Sequence, residues 1–236
     1  MQQLSRTRSA LYHLYPGIII TACFAVLAPL LLKYILPPQF SLLIVIAIAA
    51  IPLLLLHLRK AAKAEHKNSI QELNGFNQKL PAGKLILFVS GLVVFAFLTW
   101  GATQPLNEII TKKLFNWLPN WYTVQDFTGY SKQTILLTLI LNLLLNGILA
   151  PLVEECYFRG YLLPRMAAWG KWAFILNAVL FSLYHFWQPY IYLTLIISLL
   201  PMSWLVWKTK DLRVGIYTHC ALNVIGALAS FGLLMK

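Results

Sequence analysis

The chain has 236 residues, of which 59% are hydrophobic and only 11% charged, with a formal net charge of +12. A soluble globular domain carries about 25% charged residues, so this composition excludes a soluble enzyme with a large core and points to a polytopic membrane protein. The basic excess gathers near the ends of apolar segments, which speaks for membrane topology and against a nucleic-acid partner.

The expected fold class is all-α: a membrane helix bundle of about seven (six to eight) transmembrane helices, forming a single integral membrane domain over residues 1–236. In chain order, apolar spans are predicted at about 16–36, 40–58, 84–104, 134–164, 172–188, 190–207 and 214–234, each near the roughly 20 residues that a crossing helix needs. Pro16, Pro37, Pro38, Pro81, Pro105, Pro119 and Pro189 mark predicted edges. Pro29, Pro52, Pro151 and Pro201 fall inside apolar runs, where a spanning helix tolerates a kink.

Charge sets the expected orientation. With the N-terminus inside, the outer side carries Lys33, Lys112, Lys113, Lys132 and Lys236. The other fourteen of the 19 basic residues lie inside, Arg159 and Arg165 among them. This is the positive-inside pattern, with a cytoplasmic N-terminus. The first apolar run has no convincing small-residue cleavage site, so no cleavable signal peptide is expected. The basic loop 59–83 reads as a cytoplasmic extension of the second helix that faces lipid. The aromatic-rich stretch 105–132 reads as an interfacial element at the outer headgroups. Cys23, Cys156 and Cys220 are an odd number in apolar surroundings, which argues against a disulfide framework.

The chemistry concentrates in Pro151–Arg165, PLVEECYFRGYLLPR. An ionisable group at membrane depth costs roughly 2.5–3.5 kcal/mol even on lenient scales, and Glu154, Glu155 and Arg159 fall within six residues. At four-residue separation Glu155 and Arg159 face each other and form an ion pair. Glu154 points about 100° away on an α-helix and is left as the reactive carboxylate. The alternative is that both glutamates are solvated charges at the cytoplasmic interface. Later in the chain, FSLYH places Phe181 and His185 four apart, and DLRVGIYTHCALN places His219 and Asn223 four apart. Asn142 and Asn146 read as interhelical hydrogen bonders.

Taken together, EECYFRG, FSLYH and HCALN resemble, in order and spacing, the EExxxR, FxxxH and HxxxN motifs of the CAAX-protease and bacteriocin-processing (CPBP, Abi) family of intramembrane endopeptidases. The resemblance covers a protease core at about 134–226. It implies that Glu154 is the general base activating a water and that His185 holds or polarises that water. His219 and Asn223 would stabilise the oxyanion, with Glu155 and Arg159 as supporting residues around Glu154. The implied substrate is a membrane-associated peptide or protein: prenylated C-termini in eukaryotic members, peptides or bacteriocin precursors in many bacterial ones.

Helix rise gives an independent check on depth. Counted from inner ends near Arg165, Trp172 and Arg213, Glu154 lies roughly 16 Å deep, His185 roughly 20 Å, and His219 and Asn223 roughly 9 and 15 Å. His185 then sits only four residues before Pro189, so its hairpin is either sunk below the outer surface or preceded by a helix that starts further out. No cofactor is favoured. A catalytic zinc on Glu154, His185 and His219 is the rival set, without an HExxH spacing. Non-catalytic alternatives are a transporter or a scaffold or immunity protein; a transporter would favour inverted repeats, and none is visible. Membrane lipids are the expected surroundings, and the bacterial inner membrane the expected location.

Overall fold

Lipid offers no partner for a backbone amide, so each apolar run closes its own hydrogen bonds as a helix. The computed structural model describes residues 1–234; Lys236, counted above on the outer side, lies outside the described residues. Among the described residues the main helical segments are seven, with no β-strand beyond one isolated bridge, Asn77 with Asp211. They are α1 (Arg6–Leu32), α2 (Pro38–Ala64), α3 (Ala82–Leu114), α4 (Lys132–Arg165), α5 (Ala173–Tyr184), α6 (Tyr192–Thr209) and α7 (Leu212–Leu234). All but α5 belong to segments long and apolar enough to cross a membrane. The chain is an integral membrane protein.

Several boundaries differ from expectation. Helix α1 starts at Arg6, capped by the Ser5 hydroxyl on Arg8 N, so Pro16 lies inside it and not at its edge. Helix α3 runs through Pro105 to Leu114, which removes the first ten residues from the stretch read as interfacial. Both prolines are absorbed because a spanning helix loses only a local hydrogen bond to them. Helix α5 has twelve residues where a full span was expected.

Three π-helical segments interrupt the α geometry: Ile46–Ala50, Leu145–Leu149 and Glu155–Leu162. Each ends two residues before a proline, at Pro52, Pro151 and Pro164. A proline ring clashes with the carbonyl one turn earlier. Widening that turn is one way a helix absorbs the clash.

The two ends of the bundle differ. At one end Leu4 N donates to Arg165 O at 3.0 Å, and Gly75 N donates to Gly160 O at 2.9 Å. Arg165 forks onto the Glu65 carboxylate at 2.9 and 3.0 Å, and Leu80 N donates to Asp211 Oδ2 at 2.8 Å. The N-terminus, the loop 65–81, the turn after α4 and the turn before α7 therefore share this end, the one that collects the basic residues. Arg159 and Arg165 are an exception: at 0% and 1% exposure they are buried structural groups and not surface charges. At the opposite end, Tyr122 of the 115–131 segment donates its hydroxyl to Phe186 O at 2.9 Å, and Tyr190 donates to Tyr122 O. Trp121 and Tyr122 pack edge-on against Phe24 of α1. The 185–191 turn is thus covered by the aromatic segment.

Candidate active site

Helices α4 and α7 run antiparallel, and their contacts step together. A Cβ on Gly160 would overlap the Asn74 side chain and come within 3.0 Å of Leu212, and one on Gly147 would touch Val224. Asn223 Nδ2 donates to Asn146 O at 2.8 Å. Between these contacts lies Glu155, with its carboxylate against Gly215, where any side chain would collide with Oε2. Glycine at 215 is what admits the carboxylate. The start of α7 is therefore level with Gly160 and not with Arg165. This raises His219 above the depth counted from the sequence and brings it to the glutamates.

Glu155 and Arg159 are both fully buried and form the expected ion pair. The π geometry of Glu155–Leu162 leaves the four-residue pairing intact. Arg159 also lies 4.6 Å above the Phe181 ring centroid, a cation–π contact. Its Nε donates to Ser203 Oγ at 3.3 Å, and Ser203 donates to Asn177 Oδ1 at 3.2 Å. Asn177 Nδ2 meets Phe158 O at 2.9 Å and His13 Nε2 at 3.0 Å. A buried polar chain thus runs from the glutamates through α6 and α5 to α1. Sequence reasoning missed His13, Asn177 and Ser203; as single polar residues in apolar runs they carry no spacing signal.

Glu154 is 8% exposed and, among the described residues, makes no ion pair with arginine. Its Oε1 accepts from the Tyr184 hydroxyl at 3.2 Å, and its Oε2 lies 3.8 Å from His219 Nε2. The other ring nitrogen, His219 Nδ1, is 2.9 Å from Glu155 Oε1. One imidazole therefore spans both carboxylates. Tyr184 immediately precedes His185 in the second motif, and its contact with Glu154 was not read from the sequence.

His185 closes α5 and holds Phe181 O through Nδ1 at 2.9 Å. A carbonyl only accepts, so Nδ1 carries the proton and Nε2 of the neutral ring keeps its lone pair. The ring stands edge-on to Phe181 and Tyr184 at 5.0 Å and tilted against Trp187 at 4.9 Å, and Phe181 also meets the His219 ring at 5.9 Å. The two histidines flank one phenyl ring. Asn223 lies one turn beyond His219; one of its two amide protons goes to Asn146 O. Asn142 accepts from Gln39 Nε2 of α2 at 2.8 Å, the interhelical role expected of it, whereas Asn146 contributes its backbone carbonyl.

The structure thus joins Glu154, Glu155, Arg159 and His219 by direct contacts, with His185 and Asn223 at the borders. Among the described residues no three His, Cys, Asp or Glu side chains form a metal-holding group. His185 is held on Phe181 O through Nδ1, which leaves its Nε2 free, and among the described residues no hydrogen bond or ion pair ties it directly to Glu154. Cys156 and Cys220 are free thiols, and Cys220 contacts Ile148 O.

Comparison with known proteins adds to this geometry. Residues 136–225 match the family model described as "Type II CAAX prenyl endopeptidase Rce1-like". The chain is similar to the UPF0177 protein YxdF of Lactococcus lactis subsp. lactis (strain IL1403), with 28% identity over 151 residues, covering 62% of this chain and 77% of that protein. No solved structure matches.

Proposed function

We propose that the chain acts as its match over residues 136–225 to the type II CAAX prenyl endopeptidase family model suggests, cleaving a membrane-associated peptide by a metal-free, glutamate-activated hydrolysis. One observation carries this reading. Of two adjacent buried carboxylates, Glu155 is neutralised by Arg159, while Glu154 meets the Tyr184 hydroxyl and the far nitrogen of His219.

Glu154 takes a proton from the attacking water as its oxygen bonds to the scissile carbonyl carbon. The C=O electron pair moves to oxygen as an oxyanion. When the tetrahedral intermediate collapses, the C–N bond breaks and Glu154 returns the proton to the departing amine. His185 Nε2 accepts a hydrogen bond from the water and orients it. The spare amide proton of Asn223 and the Nε2 proton of His219 meet the oxyanion, where such a donor contributes about 3–4 kcal/mol.

With Nδ1–H given to Glu155, His219 presents a proton at Nε2 only as imidazolium. The charge count supports that form, because Arg159 and an imidazolium balance the two carboxylates. Tyr184 keeps the Glu154 carboxylate oriented. The substrate is a peptide segment of a membrane-associated protein or precursor, the location the bacterial inner membrane, and the N-terminus cytoplasmic.

The test compares membrane peptides in cells carrying wild-type protein and Glu154→Gln at equal expression. Uncleaved precursors accumulating in the variant support the reading, and identical peptide profiles overturn it.

A further inference from the structure

A cavity of about 510 Å³ opens between the first turns of α1 and the last turns of α2, at the basic end of the bundle. None of Glu154, His185, His219 or Asn223 lines it. Its volume falls within the range of pockets that hold small molecules.

The lining has two chemistries. Leu53 and Leu56 form an apolar wall, and Leu56 is 52% exposed. Tyr15 and His57, joined hydroxyl to Nδ1 at 2.8 Å, form a polar wall. Behind them the Tyr157 hydroxyl donates to Tyr12 O at 2.8 Å and fixes α1 against α4.

Exposed Arg8 and Lys60 stand in the lining with a single carboxylate, Glu65. The Arg165 fork already neutralises that carboxylate, so the remaining balance is positive. The opening turn of α1 adds the positive end of a helix dipole.

We propose that this cavity binds an anionic phospholipid of the surrounding bilayer. Its phosphate sits with Arg8 and Lys60, its headgroup hydroxyls meet Tyr15 and His57, and an acyl chain follows Leu53 and Leu56. Basic pockets between helices on the cytoplasmic side suit such headgroups. A zwitterionic lipid brings the same phosphate with its charge cancelled, and free phosphate brings no chain for the leucine wall.

The experiment follows the thermal unfolding midpoint of the purified full-length protein in mild detergent. The probes are phosphatidylglycerol, phosphatidylcholine and inorganic phosphate. Phosphatidylglycerol is expected to raise the midpoint by about 5 °C, and the other two to leave it unchanged. Arg8→Gln with Lys60→Gln should retain the basal midpoint and lose the rise. Lys112→Gln with Lys113→Gln, at the opposite end, should keep it. Native mass spectrometry provides a second measurement, with bound phosphatidylglycerol retained by wild type and lost from the Arg8 and Lys60 double variant. An equal rise with phosphatidylcholine or with inorganic phosphate overturns the proposal. So does an undiminished response or undiminished bound lipid in that double variant.

Discussion

His219 Nδ1 lies 2.9 Å from Glu155 Oε1, across 64 residues of sequence. The contact makes Glu155 the hub of the site, because the same oxygen takes the Arg159 guanidinium. A residue read as support for its neighbour therefore also orients the histidine assigned to the oxyanion. Removing one partner of a buried ion pair strands the other at a cost of about 3–5 kcal/mol. Arg159→Ala is accordingly expected to lower both the amount of folded protein and its activity, measured by detergent-solubilised yield and peptide cleavage. Wild-type yield and activity in that variant would contradict the hub.

Tyr184 tests how far the Glu154 carboxylate depends on a neighbour for its orientation. Its hydroxyl makes the 3.2 Å bond to Oε1, and a hydrogen bond to a charged group contributes about 1.5–3 kcal/mol. Tyr184→Phe keeps the ring packing on Phe158 and Trp187. The expected result is a kcat lowered about 10- to 100-fold, with little change in KM. An unchanged kcat would show that Glu154 is held by other means.

The inner-end strap carries a pH prediction. Burial pushes the Glu65 carboxyl upward, but the hydrogen bonds and charge of Arg165, with lesser help from Gln2 N and the N-terminal amine, outweigh it and hold the group below the usual glutamate range. A folded pKa below the unfolded one means stabilisation that is complete above about pH 4.3 and is lost as pH falls through the folded value. The unfolding midpoint of wild type should therefore exceed that of Glu65→Gln at pH 6, and the gap should narrow as pH falls below about 4.3 and close beneath the folded value. A gap that persists at lower pH would contradict the assignment.

Metal dependence is open to direct test. If Glu154 activates water without a metal, prolonged dialysis against a strong chelator should leave cleavage within about twofold of the untreated enzyme, and zinc should not stimulate it. Loss on chelation with recovery on zinc would return Glu154, His185 and His219 to the role of ligands.

Much of the site was legible in the sequence because its signals are local. The Glu155–Arg159 pair follows from four-residue spacing, and the three motifs name Glu154, His185, His219 and Asn223. What spacing could not convey was the third dimension. The entry of α7 at the level of Gly160 depends on the 74–80 loop gripping Lys210 and Asp211, and that shift lifts His219 to the glutamates. The brevity of α5 depends on a distant aromatic segment covering its turn. Prolines 52 and 151 were legible as kinks, but their resolution as π turns depends on packing against neighbouring helices. His13, Asn177 and Ser203 become a network only once α1, α5 and α6 are side by side.

The measurement closest to the central claim is cleavage of a membrane-embedded peptide substrate by purified Glu154→Gln in lipid vesicles, beside wild type. The account predicts no product above the uncatalysed background, with helix content and unfolding midpoint retained. Product formed at the wild-type rate would contradict it.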